Sequence, residues 1–138
     1  MSVGENQDLV RQMFEKAINQ RDPSVFESFI DGRYVNHDMP APEPGPEGLK
    51  AVMGGFFAAF PDMRIVVEQT VGEGDIVCTR GYFTGTHDGE FMGIPATGTK
   101  INVKYMDMWR LDEGKAVENW VRLDMLGLMQ QLGVVPGP

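Results

Sequence analysis

The chain has 138 residues, with 12 Lys and Arg against 20 Asp and Glu, a formal net charge of −8 and a pI near 4.6. That length is most simply one domain, residues 1–138, large enough to bury roughly two-thirds of its unfolded surface without disulfide or metal support. The acidic balance and the lack of clustered Lys and Arg argue against a nucleic-acid partner.

Cys78 is the single cysteine, so no internal disulfide is possible, and its place among strand residues reads as a small buried hydrophobe. The start of the chain has no basic region followed by an apolar run, and no segment approaches the ~20 apolar residues that span a bilayer. No membrane association and a cytoplasmic location are the expectation.

From Asn6 to Gln20, the residues Leu9, Val10, Met13, Phe14, Ala17 and Ile18 form an apolar stripe at helical spacing. Asp22 is placed to cap a short second helix with Pro23 at its first position and Val25, Phe26, Phe29 and Ile30 inside, ended by Asp31-Gly32. Tyr34 to Asp38 reads as a short extended piece, and the prolines from Met39 to Pro46 predict an ordered loop or lid. A third helix is expected from about Pro46 to Phe60, where Leu49, Val52, Met53, Phe56, Phe57 and Phe60 share a face; Phe56 and Phe60 are candidates to roof a cavity.

Strands follow. Met63 to Val71 is the first, Gly72 to Gly74 a hairpin signal, and the segment from Asp75 carries the second strand. Gly85 to Gly98 is a connection, and strands at 99–111 and 115–124 are joined by Asp112 to Gly114. Met125 to Leu132 is a short amphipathic helix ended by Gly133. Helices first and a strand meander afterwards predict an α+β fold: N-terminal helices on the concave face of a curved antiparallel sheet, with a conical cavity between them.

In the 99–111 strand the two-residue period puts Ile101, Val103, Tyr105, Asp107, Trp109 and Leu111 on one face. Asp107 thus interrupts an apolar series, where an unpaired charge is too costly to keep. It is a candidate acid/base, with a structural ion pair to Arg80, Arg110 or Arg122 as the competing reading. His37, beside Asp38, is a candidate proton shuttle against the commoner backbone-bonded histidine. His87 lies in a turn-like stretch and reads as structural. Trp109 and Trp120, with Tyr105 and Arg122, are candidate substrate contacts for a flat ligand, or simple core. Two distant histidines and one cysteine give no metal-ligand spacing, and no phosphate loop or nucleophile elbow is present, so neither metal nor cofactor is expected.

Several short motifs in order, Tyr34 to Asp38, Gly45 to Gly48, Phe60 to Asp62, Gly85 to Pro95, Gly114-Lys115, Glu118 to Trp120, Asp124, Gln131 to Gly133 and Pro136, together resemble the SnoaL-like polyketide cyclase family. It is an ester-cyclase branch of the nuclear transport factor 2-like fold. The resemblance implies a cone-shaped α+β barrel and a homo-oligomer, dimer or tetramer. It also implies cofactor-free, intramolecular aldol-type ring closure of a polyketide-like small molecule by an aspartate near the end of the last long strand. The matching position is Asp124, which is equally well placed to cap the last helix. Asp124 as base, with Asp107 and His37 in support, is the expectation. Epoxide opening or isomerisation in the same cavity, and a non-catalytic ligand binder, are the alternatives.

Overall fold

The computed structural model describes residues 1–137. Helix α1 spans Val3–Met13 and continues as a π-helical segment, Phe14–Asn19; α2 is Ser24–Phe29, β1 Ile30–Asn36, α3 Gly45–Ala59, β2 Arg64–Glu73, β3 Ile76–Thr86, β4 Lys100–Asp112, β5 Lys115–Leu123 and α4 Met125–Gln131. The first helix begins before the predicted stripe because Ser2 and Glu5 form a reciprocal capping box, the Glu5 N–H donating to Ser2 Oγ at 3.1 Å and the Ser2 N–H to Glu5 Oε1 at 3.3 Å. In the wider π turn, Phe14 and Ile18 face the interior. Asn19 ends it, its side-chain amide pairing with the Ile65 backbone at 2.8 and 2.9 Å and so covering the start of an edge strand.

The five strands run in the order β1-β5-β4-β3-β2. All neighbours are antiparallel except β1, which lies parallel to β5. The expected antiparallel sheet is therefore mixed, and it is open at β1 and β2 rather than closed into a barrel. What reads in sequence as a brief extended piece at Tyr34 is the end of a full edge strand, because Ile30 and Tyr34 bury into the core at 2 % exposure each while the residues between them do not. The first hairpin turns at Gly74-Asp75, two residues later than the glycine pattern suggests.

Curvature comes from a bulge in β2 between Val67 and Gln69. Gly81 sits opposite, and a Cβ there would lie 1.9 Å from the Val66 carbonyl oxygen, so only glycine admits this close approach. The curved sheet presents Val77, Thr79, Phe83, Ile101, Val103, Tyr105, Asp107, Trp109 and Leu111 to its concave side, where α1, α2 and α3 cover them. The alternation predicted for β4 is met at every inward position.

The convex side keeps the other parity. Met106 and Met108 are exposed there, and Cys78 lies half-buried opposite Met108 rather than in the core.

The β3–β4 connection is latched at both ends. The His87 N–H donates to Thr99 O and the Gly98 N–H to His87 O at 2.9 and 2.8 Å, while the Asp88 and Gly89 N–H groups both reach Ala59 O at 3.1 Å. Phe91 folds back onto Phe56 and Phe60, with ring centroids at 5.7 and 5.3 Å. His87 is fully buried against Phe60 and bonded through Nδ1 to Thr97, the structural role its turn-like context suggests. No helix among the described residues is long and apolar enough to cross a membrane.

Candidate active site

Between the sheet and the helices lies a narrow cavity of about 70 Å³ that opens to the surface. Its walls are apolar: Phe14 and Ile18 from the π turn, Met53 and Phe56 from α3, Phe83 from β3, Leu123 from β5. The polar exceptions are Asn36, Tyr105, Asp107 and Asn119. Asp107 is the only ionised-type carboxyl among them.

Asp107 is 9 % exposed. Thr79, directly across the β3–β4 ladder, donates its hydroxyl to Oδ1 at 2.6 Å, and the Trp109 indole N–H donates to Oδ2 at 3.0 Å. None of Arg80, Arg110 or Arg122 reaches it; they pair with Glu68, Glu118 and Asp38 respectively. Burial without a cation pushes the carboxyl from 3.8 up to about 7, against the two hydrogen bonds, which favour the charged form. Near neutral pH this group is close to half ionised, the condition for one residue to take a proton and give it back.

Polar neighbours are held as firmly. The Tyr105 hydroxyl lies 2.9 Å from Thr79 Oγ1. Burial, and to a smaller extent the Asp107 charge, hold this phenol above its usual range, so it stays protonated. Asn119 Oδ1 accepts from Tyr34 Oη at 3.3 Å and Asn36 Nδ2 at 3.2 Å, and its own amide donates to Met108 O at 3.0 Å. Asn36 Oδ1 accepts from the Asp38 and Met39 N–H groups at 2.9 Å each, which turns the proline loop back so that Met39 joins the cavity wall.

Of the residues predicted from sequence, Asp107, Tyr105, Trp109 and Phe56 line this cavity. The others do not. Asp124 is exposed, and its Oδ1 accepts the Gly127 N–H at 2.9 Å as the N-cap of α4. It borders a shallow surface groove on the convex side with Arg80, Lys104 and Arg122. Replacing Asp124 with Ala should cost about 1 kcal/mol of stability through the lost cap and leave turnover little changed; thermal melting and a rate measurement check both.

His37 sits outside as well. It pairs with Glu118 at 2.9 Å, stacks on Trp120 at 5.0 Å between centroids and keeps 40 % of its side chain exposed. Trp120 and Arg122 share the outward parity of β5, whose inward residues are Asn119, Val121 and Leu123. Phe60 is wholly buried behind the cavity. The cavity methionines are Met13, Met39, Met53 and Met63, rather than the strand methionines Met106 and Met108.

Sequence reasoning missed Thr79, Asn36 and Asn119. The available signal was parity: Thr79 alternates with Val77 and Phe83, and Asn119 with Val117 and Val121, on otherwise apolar faces.

Comparison with known proteins agrees with this architecture. A family model described as SnoaL-like polyketide cyclase matches residues 8–132. The aklanonic acid methyl ester cyclase DnrD of Streptomyces peucetius is 31 % identical over 130 residues, covering 91 % of this chain and 89 % of that protein. Among solved structures, TsrD from Streptomyces laurentii superposes with a TM-score of 0.89 at 27 % identity, covering 98 % of this chain and 99 % of its own. IdmH from Streptomyces antibioticus, described as a putative polyketide cyclase, does so at 0.81 and 33 % identity, covering 93 % and 98 %. The chain belongs to the SnoaL-like polyketide cyclase family, enzymes that act on small-molecule substrates.

Proposed function

We propose that this protein closes a ring in a small, largely apolar, oxygenated substrate by a cofactor-independent, intramolecular aldol-type step, with Asp107 as the acid/base group. The observation that carries this reading is a carboxyl inside an apolar cavity, held by two neutral donors and no cation, and raised to about 7. As carboxylate, Asp107 removes a carbon-bound proton made acidic by flanking carbonyls. The carbanion adds to a second carbonyl of the same molecule, and the alkoxide so formed takes a proton back, so the product is an isomer of the substrate.

The cavity supplies the rest. Its apolar walls hold the chain in a reactive fold, an effect that can exceed the acid/base contribution of roughly 10²- to 10⁴-fold. Asn36 is the wall group available to donate to a carbonyl oxygen, and the Tyr105 phenol lies on the same wall. Four methionines on those walls have flexible side chains and can widen the narrow interior around a larger guest.

The test uses aklanonic acid methyl ester, the compound in the name of the relative DnrD. Incubation with the protein in the presence of EDTA is expected to give a product of unchanged mass and shifted retention, formed well above the uncatalysed rate. No acceleration would remove this ester and the ring closure built on it.

A further inference from the structure

Thr79 touches two groups of the site and has one proton to share between them. Its Oγ1 is 2.6 Å from Asp107 Oδ1 and 2.9 Å from Tyr105 Oη, and the residue is 2 % exposed, so no water competes for it. A hydroxyl donates once and accepts at its lone pairs. When the carboxyl is ionised it can only accept, so Thr79 donates to Asp107 and Tyr105 must donate to Thr79. The phenol then turns only lone pairs to the cavity.

Protonation reverses this order. The Trp109 indole is donor only and keeps Oδ2 an acceptor in both states, which leaves Oδ1 as the oxygen that donates when the carboxyl is neutral. Thr79 then accepts from Asp107 and donates to Tyr105, and the Tyr105 O–H is released toward the cavity that both residues line. We propose that Thr79 is a positioning residue that reads the protonation state of Asp107 and sets the polarity of Tyr105, making the phenol an acceptor while the carboxylate is a base and a donor once it has become an acid.

Resting on the aldol reading, this gives each proton a route. The substrate C–H proton goes to Asp107, and the C–H electron pair forms the new carbon–carbon bond. The attacked carbonyl's π pair goes to its oxygen, and that alkoxide takes the Tyr105 proton. Tyr105 is refilled from Thr79 and Thr79 from Asp107, which returns the carboxylate. The residue that abstracts need not reach the oxygen that receives. A cavity floor with its base and its proton donor on separate side chains suits a substrate whose acidic carbon and receiving carbonyl oxygen lie apart.

No other charged group lines the cavity among the described residues. The titratable groups facing Asp107 are Tyr105 on its own strand and Tyr34 from β1, while the covering α1, π turn and α3 contribute apolar side chains. Arg11 and Glu68 act on Tyr105 only as weaker, opposing influences.

The coupling can be read without a substrate. Protein carrying ¹³C at Asp Cγ and Tyr Cζ is titrated from pH 5 to 9, with Asp107→Asn and Tyr105→Phe assigning the two signals. Tyr105 Cζ is expected to shift with the Asp107 midpoint in wild type and in Thr79→Ser. In Thr79→Val, which preserves shape, it should lose most of that shift, and the Asp107 midpoint should rise because the carboxylate has lost a donor. Should Thr79→Val not fold, Thr79→Ala makes the same comparison. An undiminished Tyr105 shift in the variant would mean the two groups sense each other through space alone, and the switch would be wrong. Where turnover is measurable, kcat of Thr79→Val should fall roughly tenfold, as for one lost hydrogen bond to a charged group, with KM little changed and Thr79→Ser restoring it. A loss of ring closure in wild type would strike the aldol reading and leave the spectroscopic result standing.

Discussion

Replacing Asp107 with Asn is expected to cut turnover by roughly 10²- to 10⁴-fold and, above neutral pH, to make the protein more stable. The first effect follows because Asn keeps the shape, accepting from Trp109 through its one oxygen and donating its amide to the Thr79 hydroxyl, but can neither take nor return a proton. The second follows from linkage. The folded-state pKa is raised from 3.8 to about 7, so between those values the native protein holds a proton that the unfolded chain has released. Stability from this group is complete below about pH 4, falls as pH rises, and is lost above about 7, a change of roughly 4 kcal/mol.

Asn carries no charge to desolvate and escapes that loss. Urea denaturation of both proteins at pH 5 and pH 8 isolates the carboxyl, since the carboxylates outside the cavity, such as Asp38 and Glu118, titrate equally in each. The stability gap should open toward pH 8 in favour of the variant. A gap independent of pH would mean that Asp107 does not titrate in this window, and its assignment as acid/base would fall with it. A catalytic group that destabilises its own fold is the expected signature of a functional site.

Replacing Phe60 with Ala should be the most damaging core change, costing roughly 3–5 kcal/mol. Phe60 has no exposed surface and touches both His87 and Phe91, with centroids at 5.5 and 5.3 Å. It therefore clamps the β3–β4 connection from the end of α3, beside the carbonyl of Ala59 that holds the Asp88 and Gly89 N–H groups. The loss should appear as a lower urea midpoint and as faster hydrogen exchange at the His87 and Gly98 amides. A cost under about 1 kcal/mol would show that the connection is held elsewhere. Phe56, one turn earlier, packs on Phe91 and also lines the cavity, so the two phenylalanines that look equivalent on the helical stripe have different duties.

That pair illustrates how far local pattern reaches. Helical spacing gave one apolar stripe, but which of its residues meets the cavity depends on the strands placed opposite. Likewise the last strand read from sequence offered Trp120, Arg122 and Asp124 as site residues, and all three face outward or cap a helix. A one-residue choice of parity turns every side chain to the other face, and the bulge between Arg110 and Leu111 blurs the register from which that parity could be carried across. His37 is next to Asp38 in the chain but pairs with Glu118 on the neighbouring parallel strand, a partner that adjacency in sequence does not reveal.

The sequence by itself determined the α+β order of elements, the helical stripes, the turn positions to within a few residues and the apolar face of β4 with Asp107 set into it. These are properties of short stretches, where a period of 2.0 or 3.6 residues fixes which side chains travel together. Only the tertiary structure decided that β1 joins the sheet in parallel and that Asp107 meets Thr79 and Trp109 instead of an arginine. It likewise decided that its carboxyl holds a proton near neutrality. A pKa depends on the water excluded and the charges brought near, and both are supplied here by β3, α3 and the π turn, segments far from Asp107 in the chain.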